Sequence, residues 1–163
     1  MLKFLQKRKF HKILNSLVAQ GDYKKALNHI EQAPEKYGFD EDVALYKVWL
    51  LLECNALQDD SNILYDLESK HPDHPIVLLL KGEYLFQQKH YPQAQATLEK
   101  SLRLDPHNLR TEYSLAKVCL ALGEIDKATQ LMKSTVQYDP KLVQSKLLAL
   151  TELLLMKNTN QTS

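Results

Sequence analysis

The sequence predicts an all-α protein, an α-solenoid in which antiparallel helix pairs stack one on the next. Composition is the first observation: 163 residues include only 4 glycines, while Leu, Ala, Lys, Gln and Glu are plentiful, a mixture that favours helix. The second is a pattern that returns at a fixed interval. Residues 94–106 read AQATLEKSLRLDP and, 34 positions on, residues 128–140 read ATQLMKSTVQYDP. Both begin on Ala, keep large apolar residues at similar offsets and close on Asp-Pro. The third is that Pro72, Pro106 and Pro140 keep the same interval, with GDYKKAL (21–27), KHYPQAQ (89–95) and GEIDKAT (123–129) in one phase. A fixed period decides the fold before any local reading does.

Four frames follow without gaps, 7–40, 41–74, 75–108 and 109–142, with a capping helix at 143–157 and a disordered tail at 158–163. Together residues 1–157 make a single domain, long enough to bury a core without metals or disulfides. The third frame shows the plan best. IVLLLKGEYLFQQ is one helix, Lys89-His90 a short break and YPQAQATLEKSLRL the second helix. Pro92 stands near the start of that second helix, where its missing N–H costs nothing. Leu98, Ser101, Leu102 and Leu104 give it an apolar stripe, and Pro106 ends it, because the residue before a proline leaves the α region. Gly82, Ala94 and Ser101 are small enough for the paired helices to approach closely. Neither helix buries its stripe alone, so each pair must stack on the next.

A 34-residue helix–turn–helix unit of this kind resembles the tetratricopeptide repeat family. In the third frame Gly82, Leu85, Tyr91, Ala94, Leu98, Ser101, Leu104 and Pro106 stand at the family's pattern positions. Leu115, Ala116, Gly123, Ala128, Met132, Thr135, Tyr138 and Pro140 do so in the fourth, and Leu14, Leu17, Gly21, Tyr23, Ala26, Ile30 and Ala33 in the first. The first frame departs at its end, where Pro34 comes early and Gly38 replaces the proline. The second departs most. Asn55 replaces the turn glycine and Asp60 stands at the close-packing alanine, so its second helix is expected to start late, with Asp60 or Ser61 as N-cap before NILYDLES.

Composition and motifs exclude much else. A net charge of +1 favours no polyanionic partner, so nucleic acid is not expected. Cys54 and Cys119 lie far apart and outside any C-x-x-C pattern, consistent with reduced thiols and a cytoplasmic setting. MLKFLQKRKFHKIL mixes basic with apolar residues and so lacks the unbroken apolar core of an export signal. VWLLL and IVLLL are far shorter than a membrane span. The glycines are isolated, which leaves no phosphate-cradling loop, and neither H-E-x-x-H nor a nucleophile elbow occurs. HPDHP (71–75) offers His71, Asp73 and His74, but a zinc site needs another convergent ligand. A turn in which Asp73 or His74 caps a helix opening at Pro75 explains it better. No enzyme, cofactor or metal is expected.

The resemblance implies a protein-binding scaffold or adaptor whose concave face is lined by the first helix of each pair. The family's lining positions fall here on Leu45, Trp49 and Leu52, on Ile76, Leu79, Glu83 and Phe86, and on Arg110, Tyr113, Lys117 and Leu120. Read so, the groove has an apolar, aromatic centre and charged edges, suited to an apolar peptide or helix. VALYKVWLLLE and IVLLLKGEYLF are apolar around most of their circumference, which points the same way. Family members that hold acidic chaperone tails use Lys, Asn, Asn, Lys and Arg on successive repeats. The matching positions here are His11, Asn15, Tyr46, Ile76 and Leu80, or Leu45, Trp49, Leu80, Arg110 and Ser114, and neither set clamps a carboxylate.

Two further surfaces stand out. Lys3, Lys7, Arg8, Lys9 and Lys12 all precede the first acidic residue, Asp22. Cations at a helix N-terminus oppose its dipole, so they read either as a patch for an anionic partner or as a solvated end helix. VQSKLLALTELLLMK carries more leucines than one stripe needs, and a second copy of the chain or a partner is expected to cover them. Within the same fold, a dedicated chaperone or assembly factor for one client is the alternative to an adaptor. A peripheral factor docking through its basic N-terminal helix is the alternative from another class.

Overall fold

The computed structural model describes residues 2–32 and 41–138, with side chains over residues 8–32, 41–58 and 60–133. All of the described secondary structure is helical: α1 (Leu2–Ala19), α2 (Tyr23–Glu31), α3 (Glu41–Glu53), α4 (Asn62–Lys70), α5 (Pro75–Gln87), α6 (Tyr91–Leu104), α7 (Leu109–Leu122) and α8 (Ile125–Tyr138), with a 3₁₀ helix at Leu57–Asp60. Packing gathers the chain into two compact units, Met1–Pro72 and Asp73–Ser163. The expected capping helix at 143–157 with its leucine surplus, the tail at 158–163, Pro140, and Ala33, Pro34 and Gly38 lie outside the described residues.

The 34-residue period has a backbone cause. Gly21, Asn55, Lys89 and Gly123 all take positive φ, at 73°, 53°, 62° and 84°, and they are spaced by 34. Each follows the first helix of a pair, and each is closed by the same two hydrogen bonds. The amides of residues 21, 55, 89 and 123 donate to the carbonyls of Val18, Leu52, Phe86 and Leu120 at 3.0–3.1 Å. The next amides donate to Leu17, Leu51, Leu85 and Cys119 at 2.8–2.9 Å. This is the Schellman closure, which satisfies orphan carbonyls and needs one left-handed residue. Glycine takes that conformation freely and asparagine tolerates it. Lys89 takes it at a steric cost.

In the first unit α1 packs on α2, α2 on α3 and α3 on α4. Phe10, Leu14, Ala26, Ile30, Val43 and Leu50 form the core, flanked by Tyr23, Tyr46 and Trp49. The second helix of the second frame starts late, as expected, at Asn62 after Ser61, but Ser61 makes no side-chain cap bond. Asp60 is the reason for the delay. Its counterparts Ala26, Ala94 and Ala128 are buried, whereas a carboxylate cannot be buried bare. It turns to Lys47, 2.6 Å away, and the backbone there is 3₁₀.

In the second unit α5 packs on α6 and α7, α6 on α7, and α7 on α8. Leu79, Ala94, Leu98, Leu115, Val118, Cys119 and Ala128 make its core. Helix α5 opens at Pro75 with His74 at the N-cap position, but no side chain caps it, and Asp73 instead pairs with Lys100 at 2.6 Å. Ser101 is fully buried yet polar. Its hydroxyl donates to the Pro75 carbonyl at 2.8 Å and lies 3.4 Å from Thr111 Oγ1, tying α6 to the starts of α5 and α7. Leu104, expected in the buried stripe, is exposed.

At Gly82 a Cβ would lie 2.5 Å from Cγ of Leu98, which is fully buried. Gly82→Ala should therefore lower stability by about 1–3 kcal/mol through overpacking, although alanine is the better helix former by roughly 1 kcal/mol. Lys89→Gly should raise it by about 0.5–1 kcal/mol, the left-handed strain relieved exceeding the entropy glycine adds to the unfolded chain. Chemical denaturation of the two variants checks both signs.

Candidate functional site

Each unit presents one face of first helices, and the second unit's face is the more developed. On α5, Ile76 is 43 % exposed and Phe86 half-buried. On α7, Arg110, Tyr113, Lys117 and Leu120 are half-buried. Between Ile76 and Phe86 stands a charged bridge. Arg110 donates through Nε and Nη2 to Oε1 and Oε2 of Glu83 at 3.1 and 2.6 Å. Ser114 Oγ donates to Glu83 Oε1 at 2.7 Å. The Glu83 side chain is only 11 % exposed, so three charge-assisted bonds replace most of its water. Beyond it, the Lys117 ammonium lies over two rings, 5.4 Å from the centre of Phe86 and 5.1 Å from that of Tyr113. Phe86 also meets Tyr91 of α6 at 5.6 Å.

Two expected lining residues are not on a surface. Leu79 is 3 % exposed and belongs to the second unit's core, and Leu52 is likewise buried. The reason is visible on α5. It packs on α6 and α7 together, so Val77, Leu78, Leu79 and Leu80 are all buried. The apolar excess read from the sequence as a groove strip goes largely into packing. The expected order of an apolar centre with charged edges is also reversed here, since the Glu83–Arg110 pair lies within the face.

In the first unit Leu45 and Trp49 are half-buried. The Trp49 indole N–H donates to Glu53 Oε1 at 3.0 Å, and its ring meets those of Tyr23 and Tyr46 edge-on at 5.6 and 6.4 Å. Tyr46 OH donates to Asn15 Oδ1 at 3.2 Å. Tyr23 is on the second helix of its pair, so a reading confined to first helices misses it. Of the basic run, Arg8, Lys9 and Lys12 are exposed on α1. Lys3 and Lys7 also belong to α1, with their side chains outside the described ones. A cleft of about 630 Å³ lies between α3 and α4, with Ala44, Ile63 and Leu67 below and Glu41–His71 paired at 2.7 Å.

Among the described residues no three His, Cys, Asp or Glu side chains gather as metal ligands. His71 Nε2 of the HPDHP stretch lies 2.7 Å from the Glu41 carboxylate, and Asp73 is held separately by Lys100. Both cysteines are free. Burial pushes the Cys119 thiol up from its ordinary pKa, against the pull of the Lys127 ammonium. No described helix is long and apolar enough to cross a membrane.

Helix pairs closed by a repeated turn, with small residues at their crossings, define a helical-repeat protein. Residues 85–151 match the family model of the tetratricopeptide repeat, and the described helices have the tetratricopeptide-repeat fold. It is similar to a thermophilic TPR protein of Thermus thermophilus, at 19 % identity and a TM-score of 0.69 over 82 % of this chain and 74 % of that one. It is similar to MamA of Desulfovibrio magneticus, at 20 % identity and a TM-score of 0.59 over 82 % and 75 %. It also resembles part of the Cut9–Hcn1 hetero-tetramer of the APC/C, at 20 % identity and a TM-score of 0.64 over 78 % of this chain and 24 % of that one. No curated protein sequence matches it.

Removing the carboxylate of Glu83 leaves the half-buried Arg110 and the buried Ser114 donors without that acceptor. Glu83→Ala should cost about 1.5–3 kcal/mol of stability, read from the denaturation midpoint. Glu83→Gln, which keeps an acceptor, should cost less.

Proposed function

We propose that the chain is a non-enzymatic scaffold or adaptor that holds an apolar or aromatic segment of a partner protein. The repeat framing 7–40, 41–74, 75–108 and 109–142 is part of that reading. Its fold supports a protein-interaction role in general. The observation that carries the finer reading is the pair of rings, Phe86 and Tyr113, half-buried on adjacent first helices beneath one ammonium. Aromatic side chains held rigidly at a partly dry surface make good anchors, and truncating one costs roughly 2 kcal/mol or more of binding. Ile76 extends the apolar area, while Glu83 and Arg110, already satisfied by each other, add polarity without demanding a charged partner. On the first unit, Leu45, Tyr46 and Trp49 form a half-buried aromatic surface of their own.

The test pairs a thermal melt with quantitative binding to the partner isolated by capture. Phe86→Ser and Tyr113→Ser should weaken binding roughly thirtyfold, the equivalent of about 2 kcal/mol, while the melting temperature changes little. A loss of about 3–5 kcal/mol in stability at both positions, the cost of emptying a core aromatic, would show that the rings are structural and sink the assignment.

A further inference from the structure

The basic end of α1 is not absorbed by any scaffold role on the second unit's face. Phe10 and Leu14 bury one stripe of α1, with the Phe10 ring stacked on His29 at 4.6 Å. That anchoring turns the opposite face outward. Arg8, Lys9, Lys12, Ile13, Asn15 and Ser16 are exposed there, and among the described residues Arg8, Lys9 and Lys12 enter no ion pair. No acidic residue occurs before Asp22, which is itself taken by Lys25 at 2.6 Å. The first turn of α1 has no acid and the last turn no base, so the ends of this helix carry no charges matched to its dipole. By contrast α3 opens on Glu41 and Asp42. Dipole compensation at the helix ends therefore does not account for the cations of α1.

We propose that this face of α1 docks on the surface of an anionic phospholipid bilayer. Charge complementarity is the main argument: clustered, unpaired cations near such a surface are each attracted within a Debye length. Ile13 decides between polyanions. It is 38 % exposed, one turn after Lys9 and directly after Lys12. An apolar side chain set among cations gains by entering the headgroup–acyl boundary, whereas a phosphodiester backbone gives it nothing to bury against. The docking is peripheral and electrostatic in the main, so it is reversible and sensitive to salt.

Co-sedimentation with vesicles tests this on the full chain. The protein should pellet with equal parts phosphatidylserine and phosphatidylcholine at low ionic strength, and should not pellet with phosphatidylcholine alone. It should be released at roughly 1 M salt, where the Debye length is about 3 Å. The triple variant Arg8→Gln, Lys9→Gln, Lys12→Gln should bind on the order of 100-fold more weakly, about fivefold for each cation. Its circular dichroism and melting temperature should match the parent's, because all three side chains are exposed. Ile13→Ser should weaken vesicle binding severalfold and leave any binding to duplex DNA or single-stranded RNA unchanged. Failure to pellet with the acidic vesicles, or equal pelleting with neutral ones, overturns the proposal. So does tighter binding to the oligonucleotides than to the vesicles, which would assign the patch to nucleic acid.

Discussion

Each helix pair depends on one left-handed residue. At positions 21, 55, 89 and 123 the backbone reverses its hand for a single step, and two hydrogen bonds close the end of the first helix. That geometry sets where the second helix begins and which of its residues meets the first. In the second unit it brings Leu98 onto the bare backbone at Gly82, and it buries Ala94 and Ser101. The same turn in the first unit buries Ala26 against the stripe of α1. The turn is a backbone requirement, so it persists when the side chain that meets it least well, Lys89, occupies the position.

The second pair shows how much of the pattern can be lost before the fold is. Asn55 keeps the left-handed turn, because its short side chain tolerates that region. Leu57 keeps the large apolar position and is buried. Asp60, at the position of the close-packing alanine, cannot be accommodated in the same way. The chain answers with a 3₁₀ turn, a Lys47 ion pair and a shorter second helix. Two of three local requirements suffice for a hairpin, and the third sets how long its second helix is.

This explains what was legible in the sequence. The period, the helix pairs, Pro75 and Pro92 at helix starts and the late start of α4 all follow from backbone chemistry that only a few residue types satisfy. Cap identities were less legible: His74 and Ser61 stand in the right places and make no cap bond, because a residue type does not fix a rotamer. The lining of the face was read least well. Leu79 is apolar like Ile76, and only the packing of α5 on both α6 and α7 tells the core residue from the surface one; Leu52 and Leu45 differ in the same way on α3. The Glu83–Arg110–Ser114 bridge joins residues 27 and 31 positions apart. No local pattern could have shown that they meet.

The bridge also bears on what the second unit's face can do. A carboxylate that is 11 % exposed must be satisfied, and an arginine from the neighbouring first helix satisfies it only when α5 and α7 hold one spacing. Hydrophobic contacts alone would let the two helices slide, since apolar packing is not directional. Bidentate bonds tolerate much less displacement. The bridge thus fixes the distance between Phe86 and Tyr113, the rings on which a partner would rest. Lys117 needs both rings at that distance to lie about 5 Å above each. A polar pair that first looks out of place on an apolar face is therefore what holds its two rings in register.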